Sequence, residues 1–222
     1  MPNANSTEHA TNRTRATQGS GRPRSSQVTK EAILEAAFVE FAKLGYEGTT
    51  TAAIARHVGV TQPLIHYHFG SKDELWSQTL DISFSRLASR LKDSSTPVEG
   101  PESFEGLARG YVEFVTNNPE FGRMVARESD PARIRWMVDR YIRPLTAMME
   151  ERLEEARSAG LLADIPTRHI LSAFLGAANH PFTMSSIVEE LYDIDPRESG
   201  EAHSYATSIW KIISGGVVAN ND

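Results

Sequence analysis

Two short helical segments separated by a single glycine most strongly constrain the fold of this chain. Residues 49–69 read as one short helix, a tight turn at Gly59 and a second short helix that starts at Thr61 or Gln62. Two short helices joined in this way have the dimensions of a helix-turn-helix, whose second helix can lie in a DNA major groove. The sequence therefore predicts a small, purely helical unit here.

The flanking segments extend this unit in both directions. Apolar side chains recur at helical spacing from Ile33 to Phe41, which predicts a helix that ends at Gly45. Behind the motif, Ser71 and Glu74 have the spacing of a capping box, in which each side chain bonds the other residue's backbone amide. The capping box predicts that a further helix begins there and runs to about residue 92.

The rest of the chain also follows a helical pattern. No run of alternating polar and apolar residues is found, so we expect an all-α fold of about nine helices. We expect a helix-turn-helix domain at residues 27–75 and a larger helical bundle at residues 76–222. Pro144 and Pro181 fall inside helical stretches and predict kinks. The helices expected in the bundle, beyond the one that follows Ser71, lie near 103–117, 120–128, 131–159, 167–190 and 199–214.

Composition narrows the possible functions. The 222 residues contain no cysteine, which excludes disulfides, thiolate metal sites and cysteine nucleophiles. The net charge is −6, although residues 1–26 carry +3 and have too few apolar side chains to fold. A nucleic-acid partner would therefore be held by a few placed cations, a mobile arm and helix N-termini, not by a broadly basic surface.

A set of residues between 45 and 76 follows one recognisable pattern. It comprises Gly45-Tyr46-Glu47-x-Thr49, Ile54-Ala55, Gly59-Val60, Tyr67-His68-Phe69, Ser71-Lys72 and Leu75. Together these residues resemble the TetR family of transcriptional regulators, over residues 28–76. The resemblance implies an all-α, cytoplasmic homodimer. Its N-terminal helix-turn-helix domain would bind a palindromic operator, and its C-terminal bundle would hold a small, mostly apolar effector. Most such proteins are repressors that the ligand releases.

The DNA contacts that we expect lie at helix N-termini and on the second helix of the motif. Thr61 and Gln62 begin that helix, where glutamine can pair with adenine in bidentate fashion. Simple helix capping is the alternative role for Thr61. The hydroxyl groups of Thr50 and Tyr67 can bind phosphate, unless the Tyr67 ring packs under its helix. Lys72 opposes the dipole of its helix, and a lysine at a helix N-terminus makes a phosphate site. The alternative is a neutral surface turn, in which Asp73 and Glu74 compensate its charge.

Two further groups of DNA contacts are hypotheses. His66 stands where the family commonly has a tyrosine, and its imidazolium form could contact phosphate. The N-terminal arm carries Arg22 and Arg24, which could reach phosphates or a minor groove. A solubilising tail is the alternative role for this arm.

The bundle is expected to enclose the effector. Large apolar side chains are frequent there, and most of them must form the ordinary core. Helical bundles also build apolar cavities with a few polar groups, and Asn179 and His180 lie beside Pro181 in an apolar helix. The alternative is that these two side chains satisfy the carbonyls that Pro181 frees. The predicted ligand-binding residues are Tyr111, Trp136, Tyr141, Phe174, Asn179 and His180.

Dimerisation is expected through two of the predicted helices. The helices near 167–190 and 199–214 carry apolar residues that could form a four-helix interface about a two-fold axis. A monomer would have to cover these faces itself. The residues concerned are Ile170, Phe174, Ile187, Leu191, Ile209, Trp210, Ile212 and Ile213.

Other functions have less support in the sequence. No phosphate-cradling glycine loop, nucleophile motif or membrane-spanning apolar run is present, so we expect no enzyme activity, no cofactor and no membrane contact. His66 and His68 point to different helix faces, which disfavours a metal site. The alternative function is that of a helical interaction or ligand-carrier protein that keeps the helix-turn-helix as a scaffold without binding DNA.

Overall fold

The computed structural model describes residues 29–94, 101–158 and 165–218, and within these ranges the chain is helical and contains no strand. The predicted basic arm, with Arg22 and Arg24, lies outside them. The all-α prediction is confirmed, with a small N-terminal helix-turn-helix unit and a larger C-terminal bundle. The elements are α1 (Lys30–Gly48), α2 (Thr51–His57), α3 (Gln62–Phe69), α4 (Lys72–Ser94), α5 (Pro101–Asn117), α6 (Pro119–Ala126), α7 (Pro131–Met137), a π-helical turn (Val138–Ile142), α8 (Arg143–Ser158), α9 (Thr167–Thr183), α10 (Ser185–Tyr192) and α11 (Ser199–Val218).

Local signals define the ends of α1. The Thr29 side chain accepts a hydrogen bond from the backbone amide of Ala32 at 3.2 Å, which caps the first turn. The helix leaves regular geometry at Gly45, where φ is 72°, and continues for one irregular turn. The buried Thr49 hydroxyl donates to the Gly45 carbonyl at 2.7 Å. This bond satisfies a carbonyl that the break would otherwise leave unpaired.

The turn between α2 and α3 depends on Gly59. Its φ of 70° lies in the left-handed region, which a residue with a Cβ rarely adopts. The chain then reverses direction, and the Val60 amide donates to the Ala55 carbonyl at 2.9 Å. Ile54 and Ile65, one from each helix, are fully buried and pack together with the apolar stripe of α1.

Helix α4 begins with half of the predicted capping box. The Ser71 hydroxyl accepts from the Glu74 amide at 3.1 Å, as expected. The Glu74 carboxylate does not return to Ser71; it accepts from Gln78 one turn later, at 2.8 Å. From this start α4 runs as one helix of 23 residues, and its apolar side packs on both α1 and α5. It therefore belongs to the small unit and to the bundle at once.

The bundle is built around α5 and α9. Helix α5 packs on α4, α8 and α11, and α9 packs on α5, α6, α8 and α11. Helix α6 also contacts α1, which provides a second connection to the N-terminal unit. Among the described helices, none is long and apolar enough to cross a membrane. The most deeply buried side chains of the bundle are Leu107, Met149, Leu153, Phe174 and Phe182.

Each of the two prolines inside helical stretches has a local consequence. Immediately before Pro144 the helix widens into the π-helical turn Val138–Ile142, which makes room for the proline ring. Pro181 has no amide to bond the carbonyl of Ala177, and this carbonyl accepts from the Tyr205 hydroxyl of α11 at 2.8 Å. The predicted single helix over 167–190 is wrong, because α9 ends two residues after Pro181 and α10 follows as a separate helix.

Candidate DNA-binding surface and effector cavity

Helix α3 has one buried and one exposed face. Ile65 and Phe69 are buried in the core of the unit, whereas Gln62, His66 and Tyr67 are exposed. The Tyr67 side chain is 82% exposed, so its ring does not pack beneath the helix. The outer face of α3 therefore presents an amide, an imidazole and a phenol to solvent, as a base-reading or phosphate-binding surface requires.

The exposed side chains of α3 form hydrogen bonds with one another and with α2. Gln62 Nε2 donates to the Thr51 hydroxyl at 3.0 Å and lies 3.3 Å from His66 Nε2. His66 Nδ1 lies 3.0 Å from the Gly70 carbonyl oxygen, at the end of the helix. Both amide hydrogens of Gln62 are thus engaged, so a bidentate contact with adenine requires this side chain to release one of them.

The two predicted threonines have different local roles. Thr50 is exposed and caps α2, since its side chain accepts from the Ala53 amide at 3.1 Å. Thr61 occupies the N-cap position of α3 but makes no side-chain capping bond. Its exposed hydroxyl is therefore available to another partner. The alternative role, in which the Thr61 side chain caps the helix, is not found.

Lys72 starts α4 and rests on an aromatic ring. Its Nζ lies 4.2 Å from the ring centroid of Tyr46, whose hydroxyl donates to Asp73 at 2.5 Å. Lys30 repeats this arrangement at the start of α1, with Nζ 5.2 Å from the Phe69 ring centroid. Sequence reasoning missed Lys30, although the signal that singled out Lys72, a lysine directly after a hydroxyl-bearing residue at a helix start, applies to it equally.

A charged and aromatic junction joins the small unit to the bundle. The Arg133 guanidinium, at the start of α7, lies 3.9 Å from the Tyr46 ring centroid. It bonds Glu47 at 2.8 Å and Glu128 at 3.0 Å, and the Glu128 side chain is only 4% exposed. Burial and the hydrogen bond to Asp73 raise the pKa of Tyr46 to about 12. Sequence reasoning missed this junction because its partners lie far apart in the chain.

The bundle contains a cavity of about 210 Å³, partly open to solvent, between α4, α5, α6, α8 and α9. Three aromatic side chains and several aliphatic ones form most of its wall, and none of the described residues that line it is charged. A cavity with this lining favours an apolar ligand, because a buried charge without a partner is very costly. The lining residues are Phe84, Leu87, Leu91, Tyr111, Phe121, Val125, Ile142, Leu145, Thr146, Met149, Leu175 and Asn179.

Two of the six predicted ligand-binding residues line this cavity and contact each other. Asn179 Nδ2 donates to the Tyr111 hydroxyl at 2.7 Å and to the Leu175 carbonyl at 2.8 Å. Burial raises the pKa of Tyr111, against the smaller lowering effect of the Asn179 hydrogen bond, so the phenol keeps its proton. The amide and the phenol therefore form a polar site in an otherwise apolar wall.

Two other predicted residues lie near the cavity without lining it. Phe174 is 1% exposed and belongs to the core behind Tyr111, with ring centroids 5.6 Å apart. His180 is exposed and lies with Tyr192 and Tyr205 along a surface groove between α9, α10 and α11. Asn179 and His180 therefore do not act as a pair, and Tyr205 satisfies the carbonyl that Pro181 frees.

The remaining two predicted residues form a row of ring contacts that leads away from the cavity. Tyr141 stacks on the cavity residue Phe84 at 4.6 Å between centroids. Trp136 contacts Tyr141 at 5.4 Å and Trp76 at 5.5 Å, and Trp76 in turn contacts Tyr46 at 5.8 Å. The row thus connects the cavity wall to the junction beneath Lys72.

The described part of the chain contains no group of three His, Asp or Glu side chains that could hold a metal ion.

Comparison with known proteins agrees with this architecture. Residues 33–78 match the family described as bacterial regulatory proteins, tetR family. The HTH-type transcriptional repressor SCO4008 of Streptomyces coelicolor is 28% identical over 163 residues, which cover 70% of this chain and 79% of that protein.

Two solved structures illustrate the similarity of fold. The ketosteroid transcriptional regulator KstR2 of Mycobacterium tuberculosis superposes with a TM-score of 0.68 and 20% identity, over 84% of this chain and 93% of that chain. FadR of Bacillus subtilis, solved in complex with stearoyl-CoA, superposes with a TM-score of 0.63 and 15% identity. The match covers 83% of this chain and 97% of that chain. Residues 33–78 thus match the helix-turn-helix segment of this family, and the described helices share the fold of these two regulators.

Proposed function

We propose that this chain is a ligand-responsive DNA-binding regulator of transcription. In this proposal it represses by binding a palindromic operator as a homodimer, and a small, mostly apolar effector releases it. The observation that carries the proposal is the outer face of α3, where Tyr67 is 82% exposed beside Gln62 and His66. An exposed phenol of this kind has no role in the core and suits a phosphate or base contact.

The closest test is direct binding of DNA. Fragments from upstream of the gene, labelled with a fluorophore, are titrated with the full chain at low salt. Affinity should fall as salt is added, because each lysine or arginine contact to phosphate releases a counterion, and the small number of cations predicts a shallow dependence. Failure to bind any fragment at low salt would instead favour the alternative, a helical interaction or ligand-carrier protein. The negative charge of the helix-turn-helix unit is the observation that supports that alternative.

Lys72 is proposed as a phosphate contact. We expect Lys72→Met to reduce the slope of log Kobs against log salt by about 0.9 per protomer, or about 2 per dimer, because each lost contact leaves one counterion on the DNA. The slope is measured by titration at four salt concentrations. Arg109→Met, which removes a charge already paired with Glu105 on α5, is the control and should leave the slope unchanged. An unchanged slope for Lys72→Met would remove Lys72 from the interface.

The effector is proposed to bind in the 210 Å³ cavity. KstR2 is described as a ketosteroid transcriptional regulator, and FadR was solved in complex with stearoyl-CoA. Among the described residues, no lysine or arginine lines the present cavity to bind the phosphates of an acyl-CoA. The support is thus for a compact apolar ligand and not for the ligand of either structural neighbour.

The dimer is proposed to form through α10 and α11, with the outer face of α9. Ile187, Leu191 and Ile212 are 52%, 66% and 75% exposed, an unusual concentration of apolar surface for a free protomer. Ile170, Phe174 and Ile209, expected in this interface, are instead buried inside the protomer. They face the core because α11 packs on α5 and α9 of its own chain.

Leu191→Asp is expected to raise the dissociation constant of the dimer by at least about tenfold. The two-fold symmetry would place one added charge from each protomer in an apolar interface. Sedimentation velocity over a range of concentrations measures the shift. Val39→Asp on α1, at a position of comparable type that is 39% exposed, is the control. Equal dimer stability in the two variants would place the interface elsewhere.

A further inference from the structure

The cavity has one polar site, and its hydrogen bonds define what a ligand must offer. Asn179 Nδ2 uses one hydrogen for the Tyr111 oxygen and the other for the Leu175 carbonyl. The Asn179 side-chain oxygen faces α6, where a Cβ added at Gly122 would lie only 2.7 Å from it. Both amide hydrogens of Asn179 are therefore used within the protein, and this side chain supplies no donor to a ligand.

The Tyr111 hydroxyl is left with an unused hydrogen. Its oxygen accepts from Asn179, and none of the described residues accepts its own proton. The residue is only 7% exposed, so little of it contacts bulk solvent. A buried hydroxyl normally finds an acceptor, and this one lines an open cavity.

The other hydroxyl of the lining does not compete for this role. Thr146 Oγ1 donates to the Arg143 carbonyl at 3.1 Å, one turn earlier in its own helix. Its hydrogen is thereby engaged, which leaves Tyr111 as the donor that the described lining presents to a ligand.

Volume and charge narrow the ligand further. An apolar cavity of roughly 150 Å³ accepts benzene, and drug-sized ligands need pockets of about 300 Å³ or more. The 210 Å³ found here lies between these values, and Phe84, Tyr111 and Phe121 supply aromatic faces. Because the described part of the lining carries no charged side chain, an ionised ligand would find no partner of opposite charge there.

We propose that the effector is an uncharged molecule of about one substituted ring that carries a single hydrogen-bond-accepting oxygen, read by the Tyr111 hydroxyl. This inference rests on the proposed function in one respect only, namely that occupancy of the cavity releases the operator. Binding itself is independent of DNA, and the two statements are therefore tested separately.

Three probes of similar size separate the components of the proposal. Acetophenone has a neutral ring with one carbonyl acceptor, ethylbenzene lacks the acceptor, and benzoate is ionised at pH 7.5. Binding of each probe to the full chain is measured by calorimetry without DNA. Acetophenone should bind about three- to tenfold more tightly than ethylbenzene, the value of one net hydrogen bond, and benzoate should not bind at the same concentrations.

Tyr111→Phe removes the donor and keeps the ring. The affinity of this variant for acetophenone should fall to its affinity for ethylbenzene. Its affinity for ethylbenzene should equal that of the original chain. Retained ethylbenzene binding also shows that the cavity is intact, so a folding defect is recognised. Tyr205→Phe, which removes a hydroxyl bonded to the Ala177 carbonyl outside the cavity, should keep the preference for acetophenone.

Three results would overturn the inference: equal affinity for acetophenone and ethylbenzene, binding of benzoate, or an unchanged preference in Tyr111→Phe. Operator binding by the ligand-free chain is measured in parallel. If the chain binds DNA but does not prefer acetophenone to ethylbenzene, the inference fails and the proposed function is retained. If the preference holds but no DNA is bound, the site is confirmed and the proposed function fails.

Discussion

Changing Tyr67 to phenylalanine is expected to weaken operator binding by at least about 100-fold without changing the unfolding midpoint. The side chain is 82% exposed, and its hydroxyl makes no hydrogen bond to another described residue. Its loss therefore costs the folded protomer nothing. A hydrogen bond to a charged phosphate contributes about 1.5–3 kcal/mol, and a symmetric dimer would lose it twice.

The measurement is a fluorescence-anisotropy titration at fixed salt, with a thermal melt of the same sample. Ser89→Ala is the control, because it removes an exposed hydroxyl from the later part of α4, outside both α3 and the proposed dimer interface. It should bind operator like the original chain. If Tyr67→Phe stays within about twofold of the control, Tyr67 makes no phosphate contact.

Arg133→Met is expected to lower the free energy of unfolding by about 2–3 kcal/mol. The Glu128 carboxylate is only 4% exposed and would lose its charged partner. It keeps the backbone amides of Ser129 and Asp130 as donors, at 2.9 and 2.8 Å, which places the loss at the low end for a broken buried pair. The Tyr46 ring would also lose the guanidinium that lies 3.9 Å from its centroid.

For a chain of this length the loss corresponds to a fall of about 5–10 °C in Tm. Arg143→Met is the matched control, since its partner Asp139 is one helical turn away and the two side chains are 70% and 57% exposed. An exposed pair of this kind contributes at most about 0.5 kcal/mol. Equal melting of the two variants would show that Arg133 does not hold the N-terminal unit against α7.

The helix-turn-helix unit was predictable because its signals are local. Thr50, Gly59 and Ser71 act on backbone within four residues of themselves, so capping and turn rules place the helices without any knowledge of the bundle. The Glu74 carboxylate departs from its rule because Gln78, one turn later, offers a competing donor. Even in a local motif, the side chains of the following turn decide the final contact.

The cavity was predictable only in part, since periodicity identifies an apolar face but not whether its neighbours fill the space. Tyr111 and Phe174 look alike in the sequence, yet one lines the cavity and the other is core. Trp136 and Tyr141 were expected near a ligand and instead connect Phe84 to Trp76. Their positions depend on ring contacts of α4 with α7 and with the π-helical turn, which no local pattern encodes.

The residues expected in the proposed dimer interface show the same limit. Ile209 and Ile212 have similar side chains three positions apart on α11, and a sequence pattern assigns both to a partner surface. The structure buries Ile209 to 4% exposure against its own chain and leaves Ile212 75% exposed. The distinction comes from the way in which α11 crosses α5 and α9, a long-range feature of the fold.

The most direct test of the central claim, that the outer face of α3 reads operator DNA, is selection of bound DNA from a random pool by the purified full chain. The account predicts enrichment of a two-fold symmetric sequence, with half-sites spaced by about one helical turn or a multiple of it. Tyr67→Phe should recover far less of that sequence. No enrichment over the input pool at low salt, from a folded and dimeric preparation, would contradict the account.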